Sequence, residues 1–498
     1  MNEIAQRLQE LEQLGLSRRL RLVSGPQGPT VLLDGKPVLL LCSNNYLGLA
    51  DHPRVREAAA DAAMRWGVGA GASRLVSGTM TIHRRLEEQL AEFEGSEACL
   101  LFGSGYLANL GVIGALAGRG DVVLSDELNH ASIIDGCRCS RAEVAVYRHR
   151  DVEHLDWSLR KHGRREGARR LIVTDSVFSM DGDVAPLAEI AEVAHAHGAR
   201  LLVDEAHATG SLGPGGRGAV AEAGLQDEVD VVVGTLGKAL GSYGAYVCAS
   251  AEIVRYLVNS ARTLIFSTAP SPPAIAGALA ALELLVERPH RVQRLRANAR
   301  ALRRALASEG FPVADGDMHI VPLIVGDERA AMRMCQEAIA RGAFAQAIRP
   351  PTVAMGTSRL RLTAMASHTA SELEMAASVF GDAALRLGLD PASFLPAPSE
   401  RQEWVQEEWP DELDQRRPAR ELERSELALA VAGTGDAGAP FDFASDPAAS
   451  QARAQAPSAP SAPFDLEADA GTPSADAAEL PPTAPFDVER ELRGVRAA

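Results

Sequence analysis

The sequence contains no apolar run near the roughly 20 residues that a membrane-spanning helix needs, which excludes a bilayer-embedded class. Its first residues, MNEIAQRLQELEQLGL, form an amphipathic helix pattern without an apolar signal core, so the expected compartment is the cytoplasm. Cysteine is sparse. The six thiols (Cys42, Cys99, Cys137, Cys139, Cys248, Cys335) include no CxxC pair, which excludes a disulfide framework and predicts a reduced chain. Cys137 and Cys139 form a lone CxC with no second pair nearby, so no metal is assigned. Positive charge is also in deficit: 50 Lys and Arg against 66 Asp and Glu give −16, which argues against a broad grip on nucleic acid or anionic lipid. What is present is ample apolar material, 46% of 498 residues, enough for the large core of a two- to four-domain globular enzyme.

The acidic excess is unevenly placed. Residues 396–498 carry 21 Asp and Glu against nine Arg and no Lys, a net of −12, so three quarters of the charge lies in this tail. The tail is rich in Ala, Pro and Ser and cannot bury enough apolar surface to offset its chain entropy, which predicts disorder, with a short helix within residues 403–430 as an alternative. Ala-Pro-Phe-Asp recurs at residues 439–442, 462–465 and 484–487, its phenylalanines 23 and 22 residues apart. Such sparse apolar anchors suit a multivalent docking tail, and low-complexity drift accounts for them equally simply.

The first 395 residues alternate short apolar runs with helical periodicity, the pattern of a mainly parallel sheet covered by helices on both faces. Strands are expected at residues 121–126, 170–176, 200–206 and 230–235. Near Pro289 the pattern changes to a long basic helix, RVQRLRANARALRRALASEG, followed by the runs HIVPLIVG and RLRLTA. The expected fold class is therefore α/β, with an N-terminal helix and arm (1–50), a large domain (51–287), a smaller α+β C-terminal domain (288–395) and the acidic tail (396–498).

Ligands of open parallel sheets bind beyond the carboxyl ends of the strands, so the residues after each run come first. Asp204 closes the run RLLVD and needs a cationic or hydrogen-bonded partner; a pyridinium nitrogen would serve. His207, three residues on, can address a hydroxyl of the same ring, and a helix-capping Asp beside a surface His is the plainer alternative. Lys238, among glycines and small apolar residues in TLGKALG, has surroundings that disfavour its charged form, as Schiff-base chemistry requires. Thr235 adds a hydroxyl for a phosphate or a ring oxygen. Upstream, the turn Gly103-Ser104-Gly105 opens a helix pattern and forms a candidate phosphate cradle. His130, in SDELNHASIID, either stacks on a planar ring or caps a helix. In this order the parts describe a site for pyridoxal phosphate.

The blocks CSNNYLGLADHP, GAGASRLVSGTMTIHRRLEEQLAEFEG, LNHASIIDG, VFSMDGDVAPL, VDEAHATGSLGPGGRG, GTLGKALG and LIFSTAPSPP resemble the α-oxoamine synthases, a family of fold-type I pyridoxal-phosphate enzymes. The resemblance runs from about residue 14 to 387. DEAHATG and AIRPPTVAMGTSRLRLT, with Arg349, Pro350, Pro351 and Thr352, resemble the branch that condenses L-alanine with a pimeloyl thioester in biotin synthesis. Ala354 departs from the proline common there, and glycine C-acetyltransferase remains the alternative activity.

The resemblance implies a fold-type I transferase in which Lys238 holds the cofactor as a Schiff base and Asp204 pairs with its ring nitrogen. It places His130 over the ring, gives His207, Ser179 and Thr235 the ring oxygen or phosphate, and assigns the phosphate to the backbone of Gly105 and Tyr106. Asn44 and Arg361 would face the amino-acid carboxylate, while Thr352 and Arg18, with Arg19 and Arg21 as alternatives, would lie towards the acyl substrate. Ser267 and Thr268 would reach the phosphate of a neighbouring subunit, implying a homodimer. The acyl donor would be pimeloyl-CoA or pimeloyl-ACP. Because the net charge opposes a polyanionic coenzyme A, a local arginine cluster or a carrier protein is expected.

Overall fold

Strands that are buried on both faces must be apolar on both, and apolar, mostly buried segments form the seven-stranded central sheet of the computed structural model, which describes residues 2–162 and 167–397, with the edge segment Glu143–Tyr147 exposed at its first two residues. They are β1 (Ala98–Phe102), β2 (Val122–Asp126), β3 (Glu143–Tyr147), β4 (Arg170–Asp175), β5 (Arg200–Asp204), β6 (Val231–Thr235) and β7 (Ala245–Ala249). Their order is β1-β7-β6-β5-β4-β2-β3. The strands from β6 to β3 run parallel, and β7 is antiparallel to both β6 and β1. The sheet is thus mixed, with the parallel core that the apolar runs predict.

Alternation along the strands divides the core in two. Val122, Leu124, Ile172, Leu201 and Val203 join one apolar cluster, while Val123, Leu171, Val173, Leu202 and Val231 join the other. The second cluster packs on the helix Gly105–Leu116, which is apolar on every side and so buried. Its side chain at Asn109 is the polar exception, and it points to the site described below.

The predicted strands agree with the observed ones to within one or two residues. The run at 200–206 ends two residues early because the Asp204 carboxylate accepts the backbone N–H of Ala206 at 2.8 Å and turns the chain. Past Pro289, the basic segment forms the helix His290–Ser308. Strands Ile320–Gly326, Ser358–Thr363 and Gln346–Ile348 make a three-stranded antiparallel sheet with Ser358–Thr363 in the centre. A four-stranded sheet combines Val23–Ser24, Thr30–Leu33 and Lys36–Leu40 with Ala343–Phe344, so the N-terminal arm is paired to a distant segment. No helix among the described residues is long and apolar enough to cross a membrane. From residue 398 onward the tail, with its expected helix and its three repeats, lies outside the described residues.

Candidate active site

The site gathers at the carboxyl ends of β4, β5 and β6. Asp175 and Asp204 end β4 and β5 side by side in register, and both are buried. Burial first, and then the neighbouring Asp204 charge, raise the Asp175 carboxyl well above the usual range, while the backbone N–H of His130 donates to Asp175 Oδ2 at 2.7 Å. Asp204 Oδ2 accepts from Asn109 Nδ2 at 2.7 Å, and the same amide nitrogen donates to Ser132 Oγ at 2.9 Å. The expected partner of Asp204 is therefore found, supplied by a helix that sequence reading had credited only with a phosphate cradle.

His130 caps the helix Ala131–Ser140, its Nδ1 accepting from the backbone of Ser132 at 3.2 Å. The residue is exposed, and its backbone is tied to Asp175 at the end of β4. Partial desolvation lowers its pKa against the pull of Asp204. Capping and stacking are thus compatible roles.

His207 is buried, which rules out the surface-histidine alternative. Its Nε2 lies 2.9 Å from Lys238 Nζ and its Nδ1 2.6 Å from the Tyr46 hydroxyl. Burial, reinforced by the Lys238 charge, holds its pKa well below the ordinary value, so the ring is neutral. Lys238 is lowered to about 8, chiefly by burial, although Asp204 and Asp175 pull in the opposite direction. The apolar, glycine-flanked surroundings read from the sequence have the electrostatic effect expected of them.

Arg361 and Asn44 meet across 317 residues of chain, Arg361 Nη1 donating to Asn44 Oδ1 at 3.2 Å. Arg361 Nε also donates to the backbone carbonyl of Ser179, so Ser179 fixes this guanidinium through its main chain. Thr235 Oγ1 accepts from Gly237 N and donates to the Gly244 carbonyl, both at 3.2 Å, which holds the Lys238 turn in shape.

Arg18 and Thr352 line a cavity of about 610 Å³ together with Arg19, Arg21 and Arg349. All three alternative arginines therefore reach one space. Arg349 donates to the carbonyl of Ser17 at 3.1 Å and to that of Gly15, fastening the arm beside it. Thr268 pairs with Ser73 in an antiparallel bridge, and among the described residues no hydrogen bond joins Ser267 or Thr268 to the Lys238 network.

These groups fit pyridoxal phosphate. Among the described residues the first-turn N–H groups of Gly105 and Tyr106 have no acceptor, since the Ser104 cap satisfies only Leu107 and Ala108. A Cβ at Gly105 would meet nothing within 4 Å, so open space lies at this helix start. A buried carboxylate, a partly neutral lysine and an anion-seeking helix end match the ring nitrogen, aldehyde and phosphate in turn.

Sequence reading missed Tyr46, Asn109, Asp175 and His319. His319 is buried, with its ring edge-on to Tyr46 at 4.1 Å between centroids and Nε2 without a partner. The usable signal was a lone amide in an all-apolar helix and, for Asp175, a carboxylate at the end of a buried run.

Residues 36–380 match the family Aminotransferase class I and II. An 8-amino-7-oxononanoate synthase of Citrifermentans bemidjiense is 50% identical over 391 residues, covering 78% of this chain and all of that one. Among solved structures, a Sphingomonas wittichii serine palmitoyltransferase superposes with a TM-score of 0.73 at 33% identity, over 78% of this chain and 97% of that one. An 8-amino-7-oxononanoate synthase from Francisella tularensis superposes with a TM-score of 0.61 at 25% identity, over 71% and 99%. The chain belongs to the class I and II aminotransferase family, with the fold-type I architecture, and within it to the 8-amino-7-oxononanoate synthases.

Proposed function

We propose that the chain condenses L-alanine with a pimeloyl thioester, expelling the thiol and carbon dioxide to give 8-amino-7-oxononanoate. It is a pyridoxal-phosphate-dependent acyltransferase of biotin biosynthesis. When bound, the cofactor supplies an aldehyde for covalent attachment and an electron sink for charge developing at the amino-acid α-carbon.

The remaining work falls to side chains. Lys238 Nζ would hold the aldehyde and, as a free amine, would move the α-proton of alanine, a task suited to an amine lowered to about 8 by burial. Asp204, fixed by Asn109 and Ala206, would pair its carboxylate with the ring nitrogen. Arg361 binds the alanine carboxylate as the charged partner, and Asn44, whose Oδ1 accepts from Arg361, orients that guanidinium and offers its Nδ2 as a second donor. His130 would cover the ring, while His207 and Thr235 would address its oxygen or phosphate. Arg18, Arg19, Arg21 and Arg349 offset the unfavourable net charge where the thioester enters, which makes coenzyme A a workable donor. Ser267 and Thr268 serve the partner protomer of a homodimer.

The observation that carries this reading is the convergence of Lys238, His207 and Asp204, three strand-end residues, within a chain half identical to named synthases. Purified protein mixed with pyridoxal phosphate, L-alanine and pimeloyl-CoA should yield the oxononanoate mass and carbon dioxide. Product from glycine and acetyl-CoA, with none from the first mixture, would favour the acetyltransferase alternative and overturn the substrate assignment.

A further inference from the structure

We infer that Tyr46 is a positioning residue whose single hydroxyl proton links the charge state of Lys238 to the Asn44–Arg361 pair. The inference rests on the reading of that pair as the holder of the amino-acid carboxylate.

Five polar groups form one chain, in which Tyr46, His207 and Arg361 are buried and Lys238 and Asn44 are half-buried. Lys238 Nζ lies 2.9 Å from His207 Nε2, and His207 Nδ1 lies 2.6 Å from Tyr46 Oη. Tyr46 Oη lies 3.1 Å from Asn44 Oδ1. Arg361 donates to Asn44 Oδ1 at 3.2 Å and to Tyr46 Oη at 3.4 Å. Tyr46 has no exposed surface and His207 almost none, so bulk water does not substitute for these partners.

Proton counting ties the protonated lysine to one arrangement and opens a second to the neutral amine. A neutral imidazole has one N–H and a phenol has one O–H, whereas guanidinium only donates and an amide oxygen only accepts. When Lys238 is an ammonium it must donate, so Nε2 accepts and Nδ1–H donates to Tyr46, whose own proton then goes to Asn44. When Lys238 is a neutral amine its lone pair lets Nε2–H donate to it, and Nδ1 then accepts a hydrogen bond from the Tyr46 hydroxyl. Asn44 Oδ1 is then left with the Arg361 donor alone. The edge-on ring of His319 holds the phenol in place for both arrangements.

A carboxylate seated on Arg361 draws its N–H groups away from Asn44 and Tyr46. Asn44 Oδ1 then depends on the Tyr46 proton, which selects the first arrangement and keeps Lys238 protonated to higher pH. By reciprocity, a protonated Lys238 strengthens the seat for the carboxylate. This coupling operates whenever the lysine amine is free. The other charged and titratable groups around Lys238 are Asp204, Asp175, Arg361, His130 and His319; they act through space and stay in place in a Tyr46→Phe variant.

The test uses the full chain without cofactor and propionate as the carboxylate probe. Trace reductive methylation with formaldehyde and cyanoborohydride reads the free amine of Lys238 by peptide mass spectrometry, with Lys36 and Lys161 as internal references. Saturating propionate should lower wild-type Lys238 labelling at pH 8 about twofold, equivalent to roughly half a pH unit. In Tyr46→Phe the effect should shrink by more than half. Asn44→Ala, which removes the acceptor but keeps Arg361, should behave alike and serves if the first variant does not fold. An undiminished propionate effect in both variants overturns the relay alone. A wild-type lysine indifferent to propionate overturns the relay together with the carboxylate assignment.

Discussion

Asn109 donates to Asp204 at 2.7 Å while its own amide oxygen stays buried without a donor. The helix Gly105–Leu116 therefore tolerates an unsatisfied polar atom in order to orient one carboxylate. Asn109→Ala removes that donor and leaves a buried carboxylate oxygen unpaired. Removal of one partner of such a bond costs about 1–3 kcal/mol, to be read by urea unfolding of the cofactor-free chain. Bound cofactor, by supplying a charged partner to Asp204, should narrow the difference from wild type. An equal deficit with and without cofactor would place the effect elsewhere.

Cofactor capture should report the lysine directly. With the Lys238 amine lowered to about 8, chiefly by burial, its neutral fraction at pH 7 is about one in ten, against about one in 2,500 for an ordinary lysine. The initial rate at which the cofactor-free chain binds pyridoxal phosphate should rise about fivefold from pH 7 to 8 and level off above pH 9. A rate still climbing beyond pH 10 would mean an unperturbed amine.

His149 lies between Asp126 and Asp183, at 3.0 and 2.8 Å, with its ring edge-on to Phe178. Burial alone would lower its pKa, but hydrogen bonds and charge from the two carboxylates raise it to about 10. A histidine raised on folding contributes stability that is complete below about pH 6.5 and is lost as pH climbs towards 10. Wild type should therefore lose more stability between pH 6.5 and 10 than His149→Gln, measured by urea midpoints at both ends. Parallel losses would contradict the buried imidazolium.

Arg359 and Asp181 form an ion pair with side chains only 4% and 7% exposed. Arg361, two residues along the same strand face, binds the Ser179 carbonyl of the same loop. Asp181→Asn leaves the arginine buried without its counter-charge, a loss of about 3–5 kcal/mol. It should also raise the KM for alanine more than it lowers kcat, because the loop that steadies Arg361 loosens. Replacing both residues, Asp181→Leu with Arg359→Met, should recover most of the stability and little of the KM. Recovery of both together would separate Arg361 from that loop.

The strand ends were legible because burial and chain direction are local properties. RLLVD, VVVGT and the residues after them announce strands, and the chemistry of Asp204, His207 and Lys238 follows from where strands stop. Tyr46 and His319 were not legible, and Asn109 showed only as a lone amide in an apolar helix. Tyr46 meets His207 across 161 residues and Asn109 meets Asp204 across 95, so only the packed chain brings them together. Their residue types carry no strand-end signal, and each earns its role from a partner. The arginines of the arm were legible as a cluster, but that three of them share one cavity is a property of the paired N-terminal sheet.

The most direct test is borohydride reduction of the wild-type chain loaded with pyridoxal phosphate, followed by peptide mapping. The chain has only three lysines, Lys36, Lys161 and Lys238, so the assignment is unambiguous. The account predicts one reduced cofactor adduct, on Lys238, and none in Lys238→Ala. An adduct confined to Lys36 or Lys161, or a wild-type chain that traps nothing, would contradict it.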